Sequence, residues 1–68
     1  MTGTVKFFDD KKGYGFIIDD ESKKEIFVHY TGIIMEGHKT LSEQQKVEFE
    51  SEIDSKNGKP RAKNVKPL

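Results

Sequence analysis

The chain has 68 residues, 32% of them hydrophobic and 35% charged, with twelve Lys plus Arg balanced by twelve Asp plus Glu and no cysteine. A chain this short buries only about 60% of its unfolded surface, which argues against a large catalytic cavity in the core, and without cysteine there are no disulfides, thiolate chemistry or Cys-based zinc sites. Residues 1–5 enter a strand-like pattern with no apolar or polybasic leader, and no apolar run is long enough to span a membrane, so a soluble, cytoplasmic protein is expected.

Short alternating runs separated by turn residues recur along the whole chain, and no stretch repeats apolar residues at helical spacing. The first expected strand is Thr4 to Phe8, followed by a polar turn at Asp9 to Lys12. Gly13 to Ile18 forms the second and, after the charged loop Asp19 to Lys24, Glu25 to Tyr30 forms the third. A crossing segment with Gly32 and Gly37 follows, with one helical turn over Thr31 to Ile34. The fourth strand is Lys46 to Ile53, with Val47, Phe49, Ser51 and Ile53 facing inward and Glu48, Glu50 and Glu52 outward. Asn57 and Gly58 give the signature of a two-residue type I′ hairpin turn, leading into a fifth strand at Arg61 to Lys66. Five short antiparallel strands in so small a chain resolve their edges by curling into a barrel of the OB type, whose second and third strands carry a nucleic-acid-binding face.

The second and third strands hold the candidate site. Side chains alternate between the faces of a strand, so Tyr14 and Phe16 share one face with Lys12, while Phe27 and His29 share one with Glu25. The opposite parity holds Gly13, Gly15, Ile17, Ile26 and Val28, the residues expected inside. An aromatic patch on a wet face requires a partner, and flat π-surfaces beside lysines suit unpaired bases. The same parity sends Tyr30 inward and groups Phe7 with Val5, unless a strand end or a β-bulge redirects them.

Several motifs have blander readings. Aromatics are common in strands as core residues, and it is the alternation here that favours exposure. The GxG of Gly13 and Gly15 lacks the following helix of a phosphate loop; barrel coiling accounts for both glycines. His29 has no serine, threonine or carboxylate placed in sequence for a catalytic set, and stacking suits it better than general-base work. The pairs Asp9, Asp10 and Asp19, Asp20 do not match a cation loop and read as solvated turns. Charge is neutral overall but polarised, with Glu43, Glu48, Glu50, Glu52 and Asp54 preceding a basic stretch of Lys56, Lys59, Arg61, Lys63 and Lys66. A nucleic-acid binder is usually basic, so here stacking must outweigh phosphate attraction.

Lys12 to Ile17, KGYGFI, and Ile26 to Tyr30, IFVHY, resemble the two ribonucleoprotein motifs of the bacterial cold shock proteins. The resemblance extends to the GTVKFF opening, the EGHKTL loop at Glu36 to Leu41 and the NVK ending at Asn64 to Lys66. It implies one OB-fold domain over residues 1–68, a monomer that binds single-stranded RNA and DNA with little sequence selectivity. Such a protein acts as an RNA chaperone or regulator of transcription or translation, without catalysis or cofactor. Carried over by position, Phe7, Tyr14, Phe16, Phe27, His29 and Tyr30 form a stacking platform, Lys6 and Lys12 lie near the backbone of the bound strand, and His38 caps one end. Arg61, from the basic stretch, completes the candidate set. The chain departs from the family pattern in having Phe7 in place of a common tryptophan, His38 in place of phenylalanine and Asp9 in place of asparagine. Its Asp19 to Lys24 loop is about one residue longer. Three other readings are weaker: an RRM places an aromatic where Asp19 stands, a peptide-binding small β-barrel leaves the lysines unexplained, and a metal-dependent nuclease needs a convergent acidic cluster.

Overall fold

The computed structural model describes every residue except Glu36, His38 and Lys39. Five strands, β1 (Thr2–Asp9), β2 (Tyr14–Asp19), β3 (Glu25–His29), β4 (Lys46–Ile53) and β5 (Pro60–Pro67), form a closed barrel in the order β1-β2-β3-β5-β4. The only helical element among the described residues is a single 3-10 turn, Tyr30–Gly32. The all-β, five-stranded barrel expected from the sequence is present.

The barrel is antiparallel at each seam but one: β3 runs parallel to β5, pairing Phe27 with Arg61 and Val28 with Ala62. A parallel pair requires a long connection, and here residues 30–59 separate the two strands, a crossing segment over 30–45 followed by β4 and its hairpin. Along that crossing Ile33 bridges Val65, and the Ile34 N–H donates to the Val65 carbonyl at 2.7 Å.

Ten apolar side chains fill the interior: Val5, Ile17, Ile26, Val28, Ile33, Leu41, Val47, Phe49, Ala62 and Val65. Phe49 is the only fully buried aromatic among them; Phe8 packs partly against the cluster. In β4 the expected inward face holds for Val47 and Phe49 and then fails, because Ser51 and Ile53 are exposed, Ile53 by 64%. The pairing explains this difference. β1 contacts β4 only over Lys46 to Glu48, so beyond Phe49 the strand keeps β5 alone and has no core beneath it.

Three hairpin loops share one construction. In each, an aspartate closes the incoming strand, its carboxylate accepts a backbone N–H two residues on, and its carbonyl accepts the N–H of the fourth residue. Asp9 bonds Lys11 (2.9 Å) and Gly13 (2.8 Å), Asp19 bonds Glu21 (2.9 Å) and Lys23 (2.9 Å), and Asp54 bonds Lys56 (2.8 Å) and Gly58 (2.8 Å). The fourth residue is left-handed every time, with φ of +77° at Gly13, +64° at Lys23 and +68° at Gly58. The two-residue type I′ turn expected at Asn57 and Gly58 is therefore replaced by a four-residue loop in which Gly58 alone has positive φ. The physical reason is the Asp54 side chain, which mimics a backbone acceptor and fixes an Asx-turn. The acidic pairs read as turns are accounted for by Asp9 and Asp19 at loop entrances.

Asp20 is engaged differently. Its carboxylate accepts hydrogen bonds from Lys46 Nζ at 3.0 Å and from Thr4 Oγ1 at 3.1 Å, and chiefly the Lys46 bond holds its pKa below the ordinary 3.8. A carboxyl depressed in the folded state contributes stability above its unfolded pKa and loses that contribution as pH falls through the folded value. Asp20→Asn is accordingly expected to flatten the decline in stability as pH drops from about 4 toward 2, a difference read from urea midpoints along a pH series.

Lys23 is the one member of the three loops whose left-handed position carries a side chain. A Cβ there costs about 1–2 kcal/mol, and glycine returns about 0.4–1 kcal/mol of that through unfolded-chain entropy. Lys23→Gly is expected to stabilise the fold by about 0.5–1 kcal/mol in chemical denaturation, whereas no gain would show that the loop is unstrained.

Candidate nucleic-acid interface

The outer face of β2 and β3 is tiled with rings because their inner face is aliphatic. Ile17 and Val28 are fully buried and Ile26 nearly so, which leaves Tyr14, Phe16, Phe27 and His29 half-buried on the outside. The register places Tyr14 opposite His29 and Phe16 opposite Phe27. Ring centroids lie 5.7 Å apart for Tyr14 and Phe27, 5.9 Å for Phe16 and Phe27, and 6.5 Å for Phe27 and His29.

Phe7 joins this face through a β-bulge. Val5 pairs with Ile17 while Phe7 pairs with the adjacent Phe16, so Lys6 is the extra residue in β1. The inserted residue reverses the alternation, turning Phe7 outward to 36% exposure and to 5.6 Å from the Phe16 ring. The expectation that Phe7 follows Val5 inward is thereby corrected. Gly15 makes the approach of β1 possible, since a Cβ there would lie 2.7 Å from the Phe8 Cα and collide with the Phe7 carbonyl oxygen.

Tyr30 is likewise outside, at 46% exposure, which corrects the inward position given by parity. The strand stops at His29, and Tyr30 opens the 3-10 turn, so alternation no longer governs it. Its ring lies 4.5 Å from that of His29 and rests on Gly13, where a Cβ would meet Tyr30 Cδ1 at 2.7 Å. The Tyr30 N–H also donates to the Gly13 carbonyl at 2.8 Å. Gly13 is therefore a turn residue that seats Tyr30, and not the strand residue expected.

The cationic members are placed less uniformly. Lys6 Nζ forms an ion pair with Glu25 at 2.8 Å, both side chains about half exposed. Lys12 is exposed in the β1–β2 loop and not in β2, where its backbone N–H donates to Asp9 Oδ1. Arg61 stands opposite Phe27 in the parallel seam and lines a groove of about 290 Å³ with Phe16, Phe27, Asp54, Asn57, Lys59 and Pro60. Its Nε is buried without a hydrogen-bond partner among the described residues. His38 lies outside the described residues.

Local patterning carries no hint of the position taken by the β4–β5 loop. Asp54, Asn57, Lys59 and Pro60 reach this groove only because the parallel seam brings β5 beside β3, a non-local pairing that no local pattern encodes. The basic stretch, for its part, is partly matched by acids in space. Glu48 faces Lys66, Glu50 faces Lys63 and Glu52 faces Arg61 across β4 and β5, and Lys63 Nζ lies 3.4 Å from Glu52 and 4.0 Å from Glu50. Charges that look segregated along the chain are complementary partners in the sheet.

Among the described residues no cluster of His, Asp and Glu is grouped to hold a metal ion, and no helix is long and apolar enough to cross a membrane.

Comparison with known proteins accords with this arrangement. A cold shock-like protein of Aquifex aeolicus is 54% identical over 66 residues, covering 97% of this chain and 91% of its own. A cold shock-like protein of Thermotoga maritima is 56% identical over 66 residues, covering 97% and 96%. The cold shock-like protein CspG of Escherichia coli is 47% identical over 68 residues, covering 100% and 94%. The family model described as the 'Cold-shock' DNA-binding domain matches residues 1–68. With that match over a closed five-stranded barrel, the chain belongs to the cold-shock domain family of nucleic-acid-binding proteins.

Proposed function

We propose that the protein binds single-stranded RNA and DNA by stacking bases on the face formed by Phe7, Tyr14, Phe16, Phe27, His29 and Tyr30, with Lys12 and Arg61 beside the bound strand. The observation that carries this reading is the continuous run of outward rings, each 4.5–6.5 Å from its neighbour, on a protein that buries only one aromatic fully. In a core this small, leaving so much apolar ring surface in water forgoes burial that folding would otherwise use. A partner with flat faces of its own recovers it on binding. The resemblance of residues 1–68 to cold shock proteins and the family match point to the same partner.

Each stacked base contributes about 1–3 kcal/mol, and every base offers a π-face, so binding of this kind is tolerant of sequence. Several such contacts compete with weak intramolecular pairing in RNA, which supports action as an RNA chaperone without catalysis or cofactor. The closed barrel leaves few unpaired strand edges for self-association, in keeping with a monomer.

Titration with a short oligothymidine tests the reading. Phe27→Ala is expected to remain folded, because Phe27 is on the outer face, and to lose about 1–3 kcal/mol of binding. Unfolding of the variant would make Phe27 structural, and absence of binding by the unaltered protein would end the proposal.

Ionic strength supplies an independent test. Lys6 is paired with Glu25 and the net charge is zero, leaving few cations to displace counterions. The slope of log K against log salt is expected to have a magnitude of about 1–2, given roughly 0.7 per phosphate neutralised on a single strand. A slope several times steeper would show that charge, not stacking, dominates.

A further inference from the structure

His29 has an unusual neighbour two residues along the chain. Its Nδ1 lies 3.0 Å from Thr31 Oγ1, and the Thr31 backbone N–H donates to the same nitrogen at 3.4 Å. A backbone N–H only donates, so Nδ1 must offer its lone pair. In the neutral imidazole the proton is then on Nε2, because one ring nitrogen donates when the other accepts. No described residue hydrogen-bonds Nε2. The ring is held at the same time between Phe27 and Tyr30, so its orientation is fixed by packing as well as by Thr31.

Resting on the single-strand-binding reading above, we propose that Thr31 is a positioning residue that keeps His29 as its Nε2–H tautomer. The imidazole thereby adds a directed hydrogen-bond donor, aimed at an acceptor oxygen of the bound strand, to an otherwise nonspecific stacking face. The acceptor is a base carbonyl or a phosphate oxygen. Thr31 is exposed and outside the core, which makes its replacement a test of this role without loss of fold.

The experiment combines nitrogen NMR of His29 in the free protein with oligothymidine affinities of Thr31→Val, Thr31→Ser, His29→Phe and the Thr31→Val, His29→Phe double variant. The expected results are a protonated Nε2 in the unaltered protein, a roughly three- to tenfold loss of affinity in Thr31→Val and recovery in Thr31→Ser. In the His29→Phe background Thr31→Val should cause no further loss, because the donor it orients is gone. An Nδ1-protonated ring, or an equal loss in both backgrounds, would overturn the inference while oligothymidine binding itself stood. Failure of the unaltered protein to bind would instead remove the reading on which it rests. Repeating the cycle with a methylphosphonate backbone identifies the acceptor: coupling that disappears assigns it to phosphate oxygen, and coupling that persists assigns it to a base carbonyl.

Discussion

Burial of Ile17, Ile26 and Val28 decides where the rings of this protein go. These three side chains lie in a core whose one fully buried aromatic is Phe49, and a strand that points one residue inward must point its neighbours out. Tyr14, Phe16, Phe27 and His29 are exposed for that reason. The core therefore specifies the site, since a slip of one residue in the pairing of β2 with β3 would bury the rings and expose the aliphatic residues together.

Alternation has two interruptions, and each adds a ring. The extra residue Lys6 reverses the phase of β1 and delivers Phe7, while the end of β3 at His29 releases Tyr30 onto Gly13. Glycine is needed at both contacts for steric reasons: Gly15 lets the bulged strand approach, and Gly13 leaves room for the Tyr30 ring. A face built by strict alternation alone would end at four rings. The two departures extend it at opposite ends, toward β1 on one side and the crossing segment on the other.

This division also explains what was legible in the sequence. The strand set, the inner residues of β2 and β3, and the central rings follow from period-2 patterning, which is local. Phe7 and Tyr30 were misplaced by that rule because a bulge and a strand end depend on how neighbouring strands pair. Ile53 was misplaced because β4 runs past the start of β1, two eight-residue strands that pair over only three residues each, an offset invisible in either strand alone. The β4–β5 loop was given the wrong turn because the dipeptide Asn57-Gly58 is a strong local signal, yet Asp54 three residues earlier captures the backbone first. The same aspartate construction at Asp9 and Asp19 shows that the aspartate and the left-handed fourth residue, read together, were the better guide.

Electrostatics supplies the reason that the proposed binding rests on stacking more than on charge. Pairing of β4 with β5 sets Glu48, Glu50 and Glu52 opposite Lys66, Lys63 and Arg61, so acids are interspersed with the cations of β5. On the ring face, Glu25 holds Lys6. A polyanion approaching that face must compete with a carboxylate for one of its nearest cations, and exposed ion pairs are individually weak, so Lys6 can exchange partners at small cost but with little net gain. What the face offers without competition is ring area. In the proposed binding mode, affinity comes from the number of bases laid down along the face, and selectivity from the few directed polar groups at its margins.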